Sequence, residues 1–215
     1  MRISDVMTKD PVTADPDTRV HHALKIMREH KIRKLPIVKE GKLVGMVTHD
    51  MLMEVTPSKA TGLSIQEIHY LLTEMKVRDI MDKDPTFVSP DTPFEEALAL
   101  SMKKGITAFP VMENGNLVGI STNGDIIKLL TKLLGLQEEG VRITIEGLGA
   151  HLGELREIIS VFDRHSAPVL SMLTLPRREK KDWLAVIRLR ARDATAIVKD
   201  LKGAGFQITY VSKFN

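Results

Sequence analysis

Hydrophobic and polar positions follow the same order twice along the N-terminal part of the chain. Residues 6–48 align with residues 80–122 without a gap, and 16 of the 43 aligned positions are identical. Most substitutions keep an apolar residue opposite an apolar residue. In each copy the pattern predicts a strand, a helix, two strands and a second helix. A duplicated unit of this size can pack against its copy around a pseudo-two-fold axis, which leaves equivalent crevices between the copies.

The second copy carries the clearest local signals. Thr92-Pro-Phe-Glu95 predicts a helix start, with a threonine cap and proline at the first helical position. Asn114-Gly115 predicts a two-residue hairpin turn between the two strands. Residues 122–125 then open a helix that ends at Gly135. The first copy follows the same plan, with Glu40-Gly41 at its turn.

A short linker separates the copies. Residues 57–62 have a loop-like composition, and Ser64-Ile-Gln-Glu67 predicts a capping box at the start of a helix. The apolar stripe expected on this helix consists of Ile65, Ile68, Leu71, Leu72 and Met75.

From about residue 141 the pattern changes. It predicts a strand, a helix, two strands, a second helix and a final strand, which is the split βαβ, ferredoxin-like order. The two central strands are joined by the charged run Arg177-Arg-Glu-Lys-Lys181, interpreted as a solvated hairpin tip. The predicted fold class is therefore α/β (α+β): a duplicated pair with pseudo-two-fold symmetry, followed by a βαββαβ domain.

Composition is that of an ordinary globular protein, with 43% hydrophobic and 27% charged residues. No apolar run approaches the length needed to cross a bilayer. The first residues enter the repeat directly and form no apolar signal region. Because the chain also has no cysteine, disulfides are excluded and a cytoplasmic location is expected.

Charge is uneven along the chain. Residues 1–140 carry a net charge of −2, and residues 141–215 carry +5. Aromatic residues make up only 4% of the chain, so stacking platforms for single strands are scarce. Small-molecule or protein partners are therefore favoured over nucleic acid.

No catalytic or metal site is predicted. The seven histidines show no metal-ligand spacing with one another, and the sequence has no phosphate-binding loop, dinucleotide fingerprint or nucleophile elbow. The protein is expected not to be an enzyme and to require no cofactor.

The two copies resemble a tandem pair of cystathionine-β-synthase (CBS) domains, together a Bateman module. The resemblance rests on the Met-x-x-x-Pro openings, the Pro-Asp-Thr helix starts, the Leu-Pro36 and Phe-Pro110 steps, and Gly-x-Leu-Val-Gly followed by threonine. The C-terminal segment looks like an ACT domain, and this order together with the linker resembles acetoin-utilisation proteins of the AcuB type. The expected domains are CBS repeat 1 (1–56), a helical linker (57–77), CBS repeat 2 (78–136) and an ACT-like domain (141–215).

The resemblance implies a regulatory sensor that binds AMP, ADP, ATP or S-adenosylmethionine in a cleft between the repeats. The family signature Gly-hydrophobic-x-Thr/Ser-x-x-Asp matches fully at Gly119, Thr122 and Asp125. It assigns Thr122 to phosphate or ribose, Asp125 to the ribose hydroxyls, and residues 107–110 to the adenine. The expected ligand-binding set is Thr86, Thr107, Ala108, Phe109, Pro110, Thr122, Asn123, Gly124 and Asp125, with Arg33, Lys34, Thr48 and Asp50 from the first copy.

Two interpretations of the second signature stay open. An aspartate can accept two hydrogen bonds from a vicinal diol, and a helix N-terminus favours a phosphate. Gly124 would let a ligand approach the backbone closely. However, Thr122-x-x-Asp125 is also a plain capping box, which helices use for stability alone.

The first copy departs from the signature. Asp50 follows Thr48 after one residue instead of two, which rotates its side chain by about 100° on a helix and aims it away from a ribose. Arg33 and Lys34 offer charge for a phosphate group, whereas the position matching Arg33 is the uncharged Thr107. A solvated strand end is the alternative interpretation of the two cations.

The ACT-like segment also departs from its family. It has a glycine-containing turn at residues 147–153, but Ser166-Ala-Pro168 stands where amino-acid-binding members carry a polar residue, often asparagine. Because proline removes a backbone donor, pairing between ACT copies is favoured over amino-acid binding. A homodimer is expected, and a metabolic enzyme is a candidate partner. The alternative functions are a ligand-free interaction scaffold and an amino-acid sensor.

Overall fold

The computed structural model describes residues 1–56, 62, 64, 66–67, 70, 73–149 and 152–214. Three predictions lie partly outside the described residues: 57–61 of the loop at 57–62, all of the apolar stripe except Met75, and 150–151 of the glycine-containing turn. The linker capping box is confirmed: Glu67 Oε2 accepts a hydrogen bond from Ser64 N at 2.8 Å, and Ser64 Oγ accepts one from Glu67 N at 3.3 Å. The chain divides into two compact units, Met1–Ile126 and Ile127–Asn215.

The duplicated part has the predicted α/β class, but the strand predicted before the first helix of each copy is reduced to a single bridge, Ala14 with Ile37 and Val88 with Val111. Its elements are β1 (Thr8–Lys9), α1 (Val20–Glu29), β2 (Lys34–Lys39), β3 (Lys42–Thr48), α2 (His49–Glu54), α3 (Phe94–Lys104), β4 (Ala108–Glu113), β5 (Asn116–Thr122) and α4 (Asn123–Leu133). β2 and β3 form one two-stranded sheet, and β1, β5 and β4 form a second sheet in that order. Short 3₁₀ turns at Ile3–Asp5 and Val77–Asp79 stand at matching places in the two copies.

Both predicted hairpin turns are confirmed. Asn114 and Gly115 have φ values of 50° and 79°, and Glu40 and Gly41 have the same two values. Positive φ at both central residues defines the turn that suits the twist of the flanking strands. Each turn thereby fixes the register of its hairpin.

The predicted cap of α3 is wrong. The helix begins at Phe94 after Pro93, and no side chain caps its first turn. The Thr92 hydroxyl instead accepts a hydrogen bond from Ser89 N at 3.0 Å. A local turn before the helix therefore takes the oxygen that the capping box would have needed.

Each repeat lends its opening segment to the other repeat. In β1, Thr8 pairs with Ile120 of β5, and the matching pair in the other direction is Asp82 with Met46 of β3. Met46 N and Asp82 N each donate to the other residue's carbonyl, at 2.9 and 3.0 Å. The second sheet is therefore built from both copies of the duplicated sequence.

The motif methionine of one repeat meets the motif glycine of the other. A Cβ at Gly45 would lie 2.6 Å from Met81 Sδ and 2.7 Å from the Asp82 carbonyl oxygen. A Cβ at Gly119 would lie 2.7 Å from Met7 Sδ and 3.0 Å from the Thr8 carbonyl oxygen. Only glycine fits where the two repeats approach this closely.

The second unit has the predicted βαββαβ element order. Its elements are β6 (Gly140–Leu148), α5 (Leu152–Arg164), β7 (Val169–Arg177), β8 (Asp182–Leu189), α6 (Thr195–Gly203) and β9 (Gln207–Phe214). The single sheet has the strand order β7-β8-β6-β9, and both helices contribute to one apolar core with the sheet residues Ile143, Ile145 and Ile187.

The charged hairpin tip between β7 and β8 is only partly solvated. The Arg177 side chain is 20% exposed and donates to Asp182 Oδ2 at 2.5 Å and to Glu146 of β6. Residues 178–181 are exposed as expected. The interpretation as a solvated tip is therefore wrong for Arg177, which ties the hairpin to the neighbouring strand.

Substitution of Gly45 by alanine should destabilise the first unit. The new methyl group would press on Met81 and on the Asp82 carbonyl, and overpacking of this kind costs about 1–3 kcal/mol. Urea unfolding measures the effect. Gly203→Ala is the control, because nothing lies within 4 Å of its Cβ position, and it should leave the stability unchanged or slightly raised. Equal midpoints for the two variants would contradict the close approach.

A fall in pH should weaken the tie of the second unit, which is the pair of bonds from Arg177 to Asp182 and to Glu146. Hydrogen bonds from Arg177 lower the pKa of both Glu146 and Asp182. A carboxylate whose folded pKa is lowered stabilises the fold above its unfolded pKa, and that stabilisation is lost as pH falls through the folded value. Arg177→Gln should therefore flatten the decline in unfolding midpoint from about pH 5 downward, measured by urea unfolding at a series of pH values. Arg178→Gln, at an exposed neighbouring position, should keep the wild-type profile. An unchanged profile in Arg177→Gln would contradict the tie.

Candidate functional site

The predicted residues of the second copy meet at one end of the β4–β5 hairpin. Ala108, the first residue of β4, pairs with Thr122, the last residue of β5. Asn123 N donates to the Thr107 carbonyl at 3.0 Å. The strand start at 107–108 therefore lies beside the N-terminus of α4.

Thr86 joins the same end from the opening segment of the second copy. Val88 forms a parallel bridge with Val111, which places Thr86 alongside the start of β4. Lys104, at the end of α3, donates from Nζ to the Thr86 hydroxyl at 3.0 Å. Lys104 was missed by the sequence reasoning, and the signal that could have found it is the Lys103-Lys104-Gly105 helix end. Lys104 therefore brings a positive charge to the second copy, in which the position aligned with Arg33 is the uncharged Thr107.

Thr122 and Asp125 form a complete capping box at the start of α4. Asp125 Oδ2 accepts from Thr122 N at 2.9 Å and from Thr122 Oγ1 at 2.7 Å. The Thr122 hydroxyl oxygen accepts in turn from Asp125 N at 3.4 Å. The pair therefore forms the capping box that stabilises the start of α4, which is one of the two interpretations of the signature. A carboxylate can accept about four hydrogen bonds, so the capping role does not by itself exclude a bond to a ribose diol.

The other predicted residues of the second copy differ in what they can offer a ligand. Ala108 is 3% exposed, Phe109 is 0% exposed and Pro110 is buried, so these side chains belong to the core. Asn123 Oδ1 accepts from the buried Ser101 hydroxyl at 3.0 Å, which holds the asparagine in place. A Cβ at Gly124 would meet only Thr122 Oγ1, at 3.4 Å. The side chains of residues 108–110 therefore offer little to a ligand.

In the first copy the cap and the carboxylate act separately. Thr48 Oγ1 accepts from Met51 N at 3.2 Å and caps α2. Asp50 is not part of that cap, and its Oδ1 lies 2.5 Å from Arg33 Nη2. Lys34 pairs in register with Thr48, and burial lowers the pKa of its ammonium group below the ordinary value. Arg33 is therefore balanced by Asp50 within the protein.

A basic cavity of about 470 Å³ lies between α1 and α2 of the first copy, and the sequence reasoning missed it. The cationic or titratable residues that line it are His21, Lys25, Arg28, Lys31, Arg33 and His49. The aligned positions in the second copy hold Glu95, Ala99, Met102, Gly105, Thr107 and Asn123. The alignment of the two copies could have shown this contrast in charge, because it follows from substitutions at six aligned positions on α1, after α1 and at the start of α2.

The described residues contain no group of three or more histidine, aspartate or glutamate side chains placed to hold a metal ion. Within the same part of the chain, no helix has the length and apolar character needed to cross a membrane.

The family model for the CBS domain matches residues 3–57 and 77–132. The matched ranges contain both copies of the duplicated sequence with their exchanged opening segments. The chain belongs to the CBS domain family.

Solved structures agree with this assignment. A Vibrio cholerae protein assigned to acetoin utilization (AcuB) is 30% identical, with a TM-score of 0.53 over 64% of this chain and 95% of that one. The CBS domain pair of protein MJ0100, in complex with 5′-methylthioadenosine and S-adenosyl-L-methionine, is 28% identical, with a TM-score of 0.50 over 60% and 95%. CBSX2 of Arabidopsis thaliana, in complex with AMP, is 26% identical, with a TM-score of 0.51 over 60% and 95%.

The capping role of Thr122 can be measured apart from any ligand. Thr122→Val removes the hydroxyl from both of its bonds to Asp125 and should cost about 1 kcal/mol in the free energy of unfolding. Thr122→Ser keeps the oxygen and should stay close to wild type. Thr48→Val provides the matched change in the first copy, where, among the described residues, the hydroxyl accepts from Met51 N alone. Wild-type stability of Thr122→Val in urea unfolding would show that the two hydroxyl bonds of the box contribute nothing to the fold.

Proposed function

We propose that this protein is a regulatory sensor that binds an adenosine-containing ligand in the cleft between its CBS repeats. The observation that carries the proposal is the intact Gly119, Thr122 and Asp125 signature, which folds at the N-terminus of α4 beside the start of β4. Relatives with the same paired fold have been solved with AMP and with S-adenosyl-L-methionine. The protein acts by binding and not by catalysis.

Each part of an adenosine ligand has a matching group in the second copy. The Asp125 carboxylate accepts from the ribose diol, whose two hydroxyls it can bridge. The backbone N–H groups at the start of α4 favour a phosphate, and the helix dipole adds to that preference. Backbone groups along residues 107–110 face the adenine edge, since the side chains of 108–110 are buried.

Phosphate charge is balanced differently at the two copies. Lys104 supplies a cation near Thr86 in the second copy. Arg33 and Lys34 supply charge in the first copy, where a phosphate would compete with Asp50 for Arg33. The first copy has no carboxylate in the capping position, so it offers charge without the ribose contact.

The C-terminal unit is the proposed output of the sensor. We infer that it is an ACT-like domain from its βαββαβ element order and its strand order. A ligand can shift the behaviour of this unit, or of a bound metabolic enzyme, only if it binds two states of the protein with unequal affinity. The proposed assembly is a homodimer, which light scattering tests directly, because a stable monomer would exclude it.

Calorimetry should detect binding of at least one compound among AMP, ADP, ATP, S-adenosylmethionine and 5′-methylthioadenosine. Asp125→Ala should weaken that binding by about 1.5–3 kcal/mol through loss of the ribose hydrogen bonds. Asp50→Ala removes the matching carboxylate of the first copy and should not weaken binding, since Asp50 bonds Arg33 and its loss frees that cation for a phosphate. No binding of any compound at millimolar concentration would overturn the proposal and favour a ligand-free scaffold.

Gly124→Ala separates ligand contact from capping, because Asp125→Ala also breaks the box. The new methyl group meets only Thr122 Oγ1 at an ordinary 3.4 Å, so the unfolding midpoint should not fall. Affinity for the adenosine ligand should fall if the ligand approaches the backbone here. Unchanged affinity in both Gly124→Ala and Asp125→Ala would place the ligand elsewhere.

A further inference from the structure

Two arginines stand side by side on the helix-free face of the C-terminal sheet. Arg142 of β6 is directly opposite Arg188 of β8 in the strand register. Their neighbours Ile143 and Ile187 are 0% exposed and belong to the core shared with the helices. Because side chains alternate along a strand, Arg142 and Arg188 project from the other face.

Each arginine is covered by an aromatic ring of β9. The Arg142 guanidinium carbon lies 5.0 Å from the centroid of the Tyr210 ring, and that of Arg188 lies 4.1 Å from the Phe214 ring. Phe214 is paired with Gly140, where a Cβ would come within 3.1 Å of the ring. The missing side chain lets the ring reach across β6 to β8. Stacking covers one flat side of a guanidinium and leaves its N–H edge available for bidentate bonds to the oxygens of an oxyanion such as phosphate.

The charge of the arginine pair is not balanced by a carboxylate within the described part of the chain. Like charges directly opposite each other destabilise a sheet. Burial, and then the nearby Arg142, lower the pKa of Arg188. Two other arginines of this unit, Arg177 and Arg190, bond carboxylates, whereas neither Arg142 nor Arg188 does so among the described residues.

A buried hydroxyl next to the pair also needs a partner. Thr144 lies two residues after Arg142 on β6, and so on the same face. It is 6% exposed, and its Oγ1 has no hydrogen-bond partner among the described residues. A buried hydroxyl without a partner is costly, so an acceptor brought by a ligand would relieve it.

We propose that Arg142, Arg188 and Thr144 form a binding site for a phosphate group on the helix-free face of the C-terminal sheet. Two guanidinium groups match the charge of a phosphate monoester, which is about −1.5 to −2 at neutral pH. A single carboxylate would balance only one of the two guanidinium charges. The site belongs to the C-terminal unit and does not depend on the adenosine site of the CBS repeats. The ligand class is a small phosphorylated molecule.

Calorimetric titration of the full chain with inorganic phosphate, at constant ionic strength, tests the site. Arg142→Gln and Arg188→Gln should each weaken phosphate binding about tenfold or more, the loss expected for a charge-assisted hydrogen bond. Arg164→Gln is the matched control in the same unit, since Arg164 is exposed at the end of α5, and α5 packs on the opposite face of the sheet. Acetate should bind more weakly than phosphate.

Thr144→Val tests the buried hydroxyl with little change in shape, and phosphate affinity should fall in this variant. Retained affinity would overturn the inclusion of Thr144. Wild-type phosphate affinity in both arginine variants would overturn the whole proposal. A second result would also overturn it: the wild-type protein does not bind phosphate, and the double variant Arg142→Gln/Arg188→Gln changes the association state measured by light scattering. In that case the arginines face carboxylates of a second copy.

Discussion

The architecture of the CBS pair depends on two places where the backbone of one repeat approaches the other with no side chain between them. At Gly45 and Gly119 a methionine and a carbonyl oxygen of the opposite repeat occupy the space that a Cβ would need. This contact brings β1 of the first repeat against β5 of the second. Because β5 ends at Thr122, the strand that carries the second signature is held by a segment from the opposite repeat. The proposed binding site therefore depends on both repeats.

A symmetric scaffold here supports asymmetric chemistry. Both copies place a threonine at the start of a helix, yet a shift of one residue gives the two carboxylates different partners. Asp125 closes the capping box on Thr122, and Asp50 turns to Arg33. The substitutions along α1 add positive charge that the second copy lacks. The two copies have kept the same backbone elements, while single substitutions have given their helix starts different side-chain contacts.

Features set by neighbouring residues could be predicted from the sequence. The turn at Asn114-Gly115 and the box at Thr122 involve atoms only a few residues apart, and both are present. The failures involve choices that sequence spacing does not reveal. The Thr92 hydroxyl could have capped the first turn of α3, but it accepts from Ser89 N instead. Arg177 reaches Glu146, 31 residues away, and the Arg142–Arg188 pair appears only once the strand register is known.

The exchange of opening segments also sets an order for folding. During synthesis β1 emerges long before its partner β5, because Thr8 pairs with Ile120. The edge of β3 at Met46 likewise has no partner until Asp82 has been synthesised. Until the second repeat arrives, the first exposes strand edges that can pair with another chain. A nascent or truncated chain that holds one repeat is thus exposed to strand swapping with a neighbouring copy, and the short linker between the repeats favours closure within one molecule.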